Sequence, residues 1–136
     1  MFEKYDKYLC SDFSVDFWSD EGISQAASFV SKFDDADWFF LYRSIGKKSS
    51  QWLVRCAETL GDIVEEKSFD ALLLLIRFED KEVQLASIDS INSLANMGFD
   101  ISQHSRSIKH ALNKLKCNSG IVANILIENL ETKIAE

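Results

Sequence analysis

The chain has no proline and only five glycines in 136 residues. Domains built from many short strands need both at their turns, so this scarcity disfavours a strand-rich fold. Long helices joined by short polar turns fit better. The longest apolar run is Ala71–Ile76, far below the ~20 residues that span a bilayer. The N-terminal stretch MFEKYDKYLC is too polar for a secretion signal. Three cysteines, Cys10, Cys56 and Cys117, lie far apart without CxxC or Cys/His spacing. An odd number of cysteines with no export signal suits reduced thiols and a cytoplasmic location.

Cations are scarce in one place. Residues 1–40 carry nine acids against three lysines, leaving almost all of the net charge of −7 in the first third. Such asymmetry disfavours direct nucleic-acid binding by that region and favours a cationic partner.

What is present is helical periodicity. Ser19 or Asp20 caps a first helix carrying Ile23, Ala26, Ala27 and Val30. Acids at Asp34-Asp35 open a second, with Trp38, Leu41, Tyr42 and Ile45 along one face, closed by Gly46-Lys47-Lys48. A third runs from Ser49 or Ser50 to about Glu65, with a stripe of Leu53, Cys56, Ala57, Leu60 and Ile63-Val64. A fourth starts at Ser68-Phe69, and FDALLLLIRF is apolar almost all round, as a helix sandwiched by neighbours would be. Val83–Met97, Ser102–Lys116 and Ile121–Ile134 complete seven helices. Gly98 fits a C-terminal cap and CNSG a turn. Residues 1–19 read as an N-terminal arm or capping segment, either a short helix or an ordered cover, within a single domain 1–136.

The stretch WLVRCAETLG places small residues in the middle of an apolar face, which is what close approach of a neighbouring helix requires. Thirty-one residues on, Trp52, Cys56, Ala57 and Leu60 meet Val83, Ser87, Ile88 and Ile91, and Leu60, Ile91 and Leu130 recur at intervals of 31 and 39. With Gly61 included, this pattern resembles HEAT-like helical repeats, whose first helix often reads Val-Arg-x-x-Ala-Ala-x-x-Leu-Gly. The resemblance covers roughly residues 20–134 and departs from the family in two ways. The arginine is displaced to Arg55 or replaced by Gln84, and the proline is absent. It implies an all-α fold, a short right-handed α-solenoid of antiparallel helix pairs, and a curved surface for another macromolecule.

Signs of catalysis are few. His104 and His110 are six apart and fall on different faces of one helix, so no metal site is expected and both read as surface residues. No glycine-rich phosphate loop or nucleophile elbow occurs, and no cofactor is implied. Some HEAT-like proteins are DNA glycosylases that use an aspartate beside aromatics in a basic groove. Asp37-Trp38 stands instead in acidic surroundings.

The candidate site is therefore a surface of Asp12, Asp16, Asp20, Glu21, Asp34, Asp35 and Asp37 with Phe39, interleaved with Phe13, Phe17, Trp18 and Trp38. Stacked helices would bring the arm and the 31–40 turn together. Trp38 is expected inside, Phe39 or Phe40 outside, and Trp18 as a staple on the first helix. Immunity proteins that neutralise bacterial toxins include HEAT-like members, and many of their targets are basic nucleases. The resemblance and the charge together imply a binding protein, not an enzyme, that blocks a cationic toxin, as in contact-dependent inhibition. The alternative is a HEAT-like adaptor holding a peptide on its inner helices, where Arg106, Lys109, Lys114 and Lys116 would suit an acidic one.

Overall fold

The computed structural model describes residues 1–116 and 121–135, with side chains through 113 and from 127 to 134. The chain is all-α, with no strand among the described residues. The helices are α1 (Phe2–Leu9), α2 (Val15–Phe17), α3 (Ile23–Val30), α4 (Asp35–Ser44), α5 (Ser50–Leu60), α6 (Glu66–Leu75), α7 (Lys81–Asn96), α8 (Ser105–Lys116) and α9 (Ile121–Ala135). A π-helical turn, Trp18–Gly22, fuses α2 to α3, so the helix expected to begin near residue 20 starts earlier. Gly22 permits this turn, because a Cβ there would lie 2.5 Å from the Trp18 indole. No described helix is long and apolar enough to cross a membrane.

Contacts between the helices fall into two series. Along one, α3, α5, α7 and α9 each pack on the next, and α1 closes the end against α3. On the other side, α6 packs against α5 and α7, and α8 against α9. Side chains link α4 to α6: the Tyr42 hydroxyl of α4 donates to the Lys67 carbonyl of α6 at 2.7 Å, and the Lys67 ammonium pairs with Asp35. Phe69 of α6 then stacks on Phe99, ahead of α8.

Burial follows the periodicity. Trp52, Cys56, Ala57 and Leu60 on α5, and Val83, Ser87, Ile88 and Ile91 on α7, are all core residues, as are Ala26, Val30 and Leu130. The small residues of α5 do meet a close neighbour: the Ser90 hydroxyl of α7 donates to the Ala57 carbonyl at 2.6 Å. A Cβ on Gly61 would sit 2.7 Å from Ser90 Oγ and 3.1 Å from its Cα.

Several boundaries differ from the sequence reading. The third helix stops at Leu60 and not near Glu65, and α6 begins at Glu66, because Ser68 turns inward to donate to the Leu60 carbonyl at 2.8 Å and so holds the connection tight. Ile63 is still buried, but Val64 is exposed. Nor is α6 enclosed all round, since Leu74 faces outward. Gly98 does cap α7: at φ +96° it lets the Phe99 amide donate to the Leu94 carbonyl and its own amide donate to Ala95, the paired bonds of a Schellman motif. Residues 117–120, which hold Cys117 and the CNSG turn, lie outside the described residues, as do the side chains of Leu115, Val122, Ile125 and Leu126.

Gly61→Ala should therefore destabilise the chain by about 1–3 kcal/mol in urea denaturation. Removing the opposing side chain with Ser90→Gly should recover part of that loss, a non-additivity that two independent sites would not show.

Candidate protein-binding surface

The end of α1 and the segment after it are held by a buried cation. Arg55 on α5 is 6% exposed. Its guanidinium donates to the carbonyls of Leu9 at 2.8 Å and Ser11 at 2.7 Å, where α1 ends. It also lies 5.1 Å from the Phe13 ring and 5.4 Å from the Trp18 ring, a cation–π cluster that is stronger for being desolvated. Trp18 is thereby buried, and its indole N–H donates to Glu58 Oε1 at 3.2 Å. Residues 1–19 are thus a helix followed by an ordered cover. Ser14 caps α2 by accepting from the Phe17 amide.

With Phe13 and Trp18 turned inward, the acids around them face out. Asp12, Asp16, Asp20 and Glu21 are all exposed. Among them stand Val15, 82% exposed, and Phe17, 38% exposed. This combination of carboxylates and accessible apolar atoms is suited to a protein partner.

The second acidic group serves the fold more than the surface. Asp34 caps α4 by accepting from the Asp37 amide, and Asp37 reciprocates by accepting from the Asp34 amide at 3.0 Å. The other Asp37 oxygen accepts from the Phe2 amide at 2.9 Å and faces the N-terminal ammonium at 3.4 Å. Burial raises the Asp37 carboxyl, but those two amides and the ammonium together outweigh it and hold the pKa below the usual range. Asp37 is therefore a buried clasp between α1 and α4, not a free contact residue. Asp35 is exposed but bonded to Lys67, which lowers its pKa. Phe39 and Phe40 are about half exposed, as expected, and Trp38 is buried. Phe40 and Phe2 border a shallow cavity of about 460 Å³.

The two acidic groups lie at opposite ends of α1 rather than side by side. Phe2 meets Phe33 and Phe40, whereas Tyr8 meets Phe13 and Phe29. An eight-residue helix puts about 12 Å between them.

A cleft that sequence reading missed lies beyond Trp18. It is a polar depression of about 280 Å³ between α3, α5 and α7, lined by Ser19, Ser24, Glu58, Asp62, Asp89 and Ser93 among others. Asp16 and Asp20 flank Ser19 within one turn. Burial raises the pKa of Glu58, the Trp18 N–H draws it back, Asp89 raises it and Arg55 lowers it, with a net rise. Burial also raises Asp62. None of the three carboxylates forms a salt bridge among the described residues. The cleft is an electronegative recess with partly desolvated carboxylates, which is what a guanidinium or ammonium from outside would neutralise. Its signal was in the repeat register, since Glu58 and Asp89 are 31 apart.

Other chemistry-bearing groups lie elsewhere. Burial pushes the Cys56 thiol up to about 12, which makes it an inert core group. His110 is exposed as expected, whereas His104 is partly buried beside Glu66 and Asp70, the one cluster of metal-ligating side chains found among the described residues. Comparison of the chain with protein-family models, curated proteins and solved structures finds no match.

Arg55→Met should release the arm that carries the acidic face. With two carbonyls left without their donor, the expected loss is about 2–4 kcal/mol. Hydrogen exchange should accelerate at residues 9–18 more than in α7.

Proposed function

We propose that the chain is an immunity-type binding protein that neutralises a cationic toxin domain, such as a nuclease, by steric block and charge complementarity. It would act in the cytoplasm and by binding, not catalysis. The observation that carries this reading is the recess of Glu58, Asp62 and Asp89 opening beside exposed Asp16, Asp20, Val15 and Phe17. Carboxylates raise the encounter rate with a basic surface, while the recess and its apolar rim provide the desolvated contact that determines dissociation.

The finer reading of the fold, a short right-handed HEAT-like α-solenoid, is part of the same proposal. It is supported by the successive packing of α3, α5, α7 and α9 and by the buried equivalents 31 residues apart on α5 and α7. Such a scaffold would present the edge of α3, α5 and α7 as one surface.

A second reading, an adaptor that holds an acidic peptide, has its own support. A cavity of about 580 Å³ between α6, α7 and α8 is bordered by Arg77, Arg106 and His110 over Ile76 and Ala111. The side chains of Lys114 and Lys116 lie outside the described residues.

One set of variants separates the two. Glu58→Gln/Asp62→Asn/Asp89→Asn should weaken binding of a captured basic partner at least ~10-fold and flatten its salt dependence. The fold should not suffer. Glu58 and Asp62, with raised folded pKa, destabilise the native state at neutral pH and recover stability as pH falls through that pKa, so replacing these two by amides should keep or raise the melting temperature. Unchanged affinity would exclude the recess, and loss of binding in Arg77→Gln/Arg106→Gln instead would favour the adaptor.

A further inference from the structure

Glu66 and Asp70 stand four residues apart on α6, so both project from one face. From the 3-10 turn Ser102–His104, which opens α8, His104 reaches the same point. One donor atom from each of the three side chains lies within 4.8 Å of the others, and His104 Nε2 is 3.1 Å from Glu66 Oε1. The imidazole is set in place from two sides. Its ring packs on Phe69 with centroids 4.9 Å apart. Its turn is fixed by Asp100, whose carboxylate accepts from both the amide and the hydroxyl of Ser102.

Negative charge accumulates here. Lys67, the cation adjacent in sequence, is bonded to Asp35 on the far side. No described lysine or arginine forms an ion pair with Glu66 or Asp70.

We propose that Glu66, Asp70 and His104 form a binding site for a divalent transition-metal ion of the zinc type, which clips α6 to the turn that starts α8. The donor set selects the metal class. Zinc accepts imidazole nitrogen and carboxylate oxygen at about 2.0–2.2 Å. Magnesium and calcium prefer oxygen donors alone, and more of them. Donors at that bond length around a tetrahedral ion are about 3.4 Å apart, close to the 3.1 Å between His104 Nε2 and Glu66 Oε1. Three protein donors leave a fourth position for water or for a group from outside. The spacing of His104 and His110 conceals this site in the sequence, because its partners lie 38 and 34 residues upstream on another helix. The site is separate from the acidic recess and does not depend on the function proposed for it.

The test is isothermal titration of the full-length Cys10→Ser/Cys117→Ser chain with ZnCl2, with CoCl2 as a spectroscopic probe. The expected result is saturable 1:1 binding with cobalt absorption bands of a low-coordinate nitrogen–oxygen site. Affinity should fall at least ~10-fold in His104→Ala and in Asp70→Asn, each checked for folding by circular dichroism. His104→Gln serves as the second variant should His104→Ala fail to fold. Zinc should slow hydrogen exchange at residues 100–110 and leave α5 unchanged. Absent or non-saturable binding, binding that survives both substitutions, or displacement by equimolar magnesium would each overturn the proposal.

Discussion

Arg55 is the buried charge that ties the end of α1 and the segment after it to α5. A charged side chain is ordinarily too costly to bury, and this one is tolerated because two carbonyls and two aromatic faces replace its water. Everything distinctive about the acidic face follows from that arrangement. Phe13 and Trp18 turn inward to the guanidinium, so the aspartates between and after them turn outward. The indole of Trp18 in turn holds Glu58 at the mouth of the recess. Arg55 also lowers the cost of keeping Glu58 ionised. The same side chain thus organises the surface and moderates its charge.

The second constraint is the close approach of α5 and α7. Ala57 and Gly61 leave room for Ser90, whose hydroxyl satisfies a helical carbonyl at the contact. The two helices then bring Glu58, Asp62 and Asp89 onto one edge. Were bulkier residues to separate them, Asp89 would move away from Glu58 and Asp62 and the recess would open to water. Packing in the core and charge at the rim are therefore aspects of one geometry.

Much of this was legible in the residues. Periodicity located the helices from α3 onward, the capping acids placed the start of α4, and Gly98 marked the end of α7. The small residues of WLVRCAETLG correctly indicated a near neighbour. Features set by tertiary contact were not legible. Nothing local in Ser68 says that it bonds the Leu60 carbonyl and so ends the preceding turn early. Asp37 was indistinguishable from its neighbours until the Phe2 amide and the N-terminus were seen to converge on it. The meeting of His104 with Glu66 and Asp70 likewise depends on how α8 is laid beside α6. Composition located the acidic third but could not divide it into residues that hold the fold and residues that face outward.

On the proposed function, the outward-facing carboxylates beside Trp18 contact a basic protein. The most direct measurement is zero-length carbodiimide cross-linking of the chain to a partner captured from source-cell lysate at low salt, read by mass spectrometry. Partner lysines should be joined chiefly to Asp16, Asp20, Glu58, Asp62 and Asp89, with yields that fall as salt rises. Cross-links confined to the α8–α9 end, or a partner attached through its own carboxylates to this chain's lysines, would contradict it.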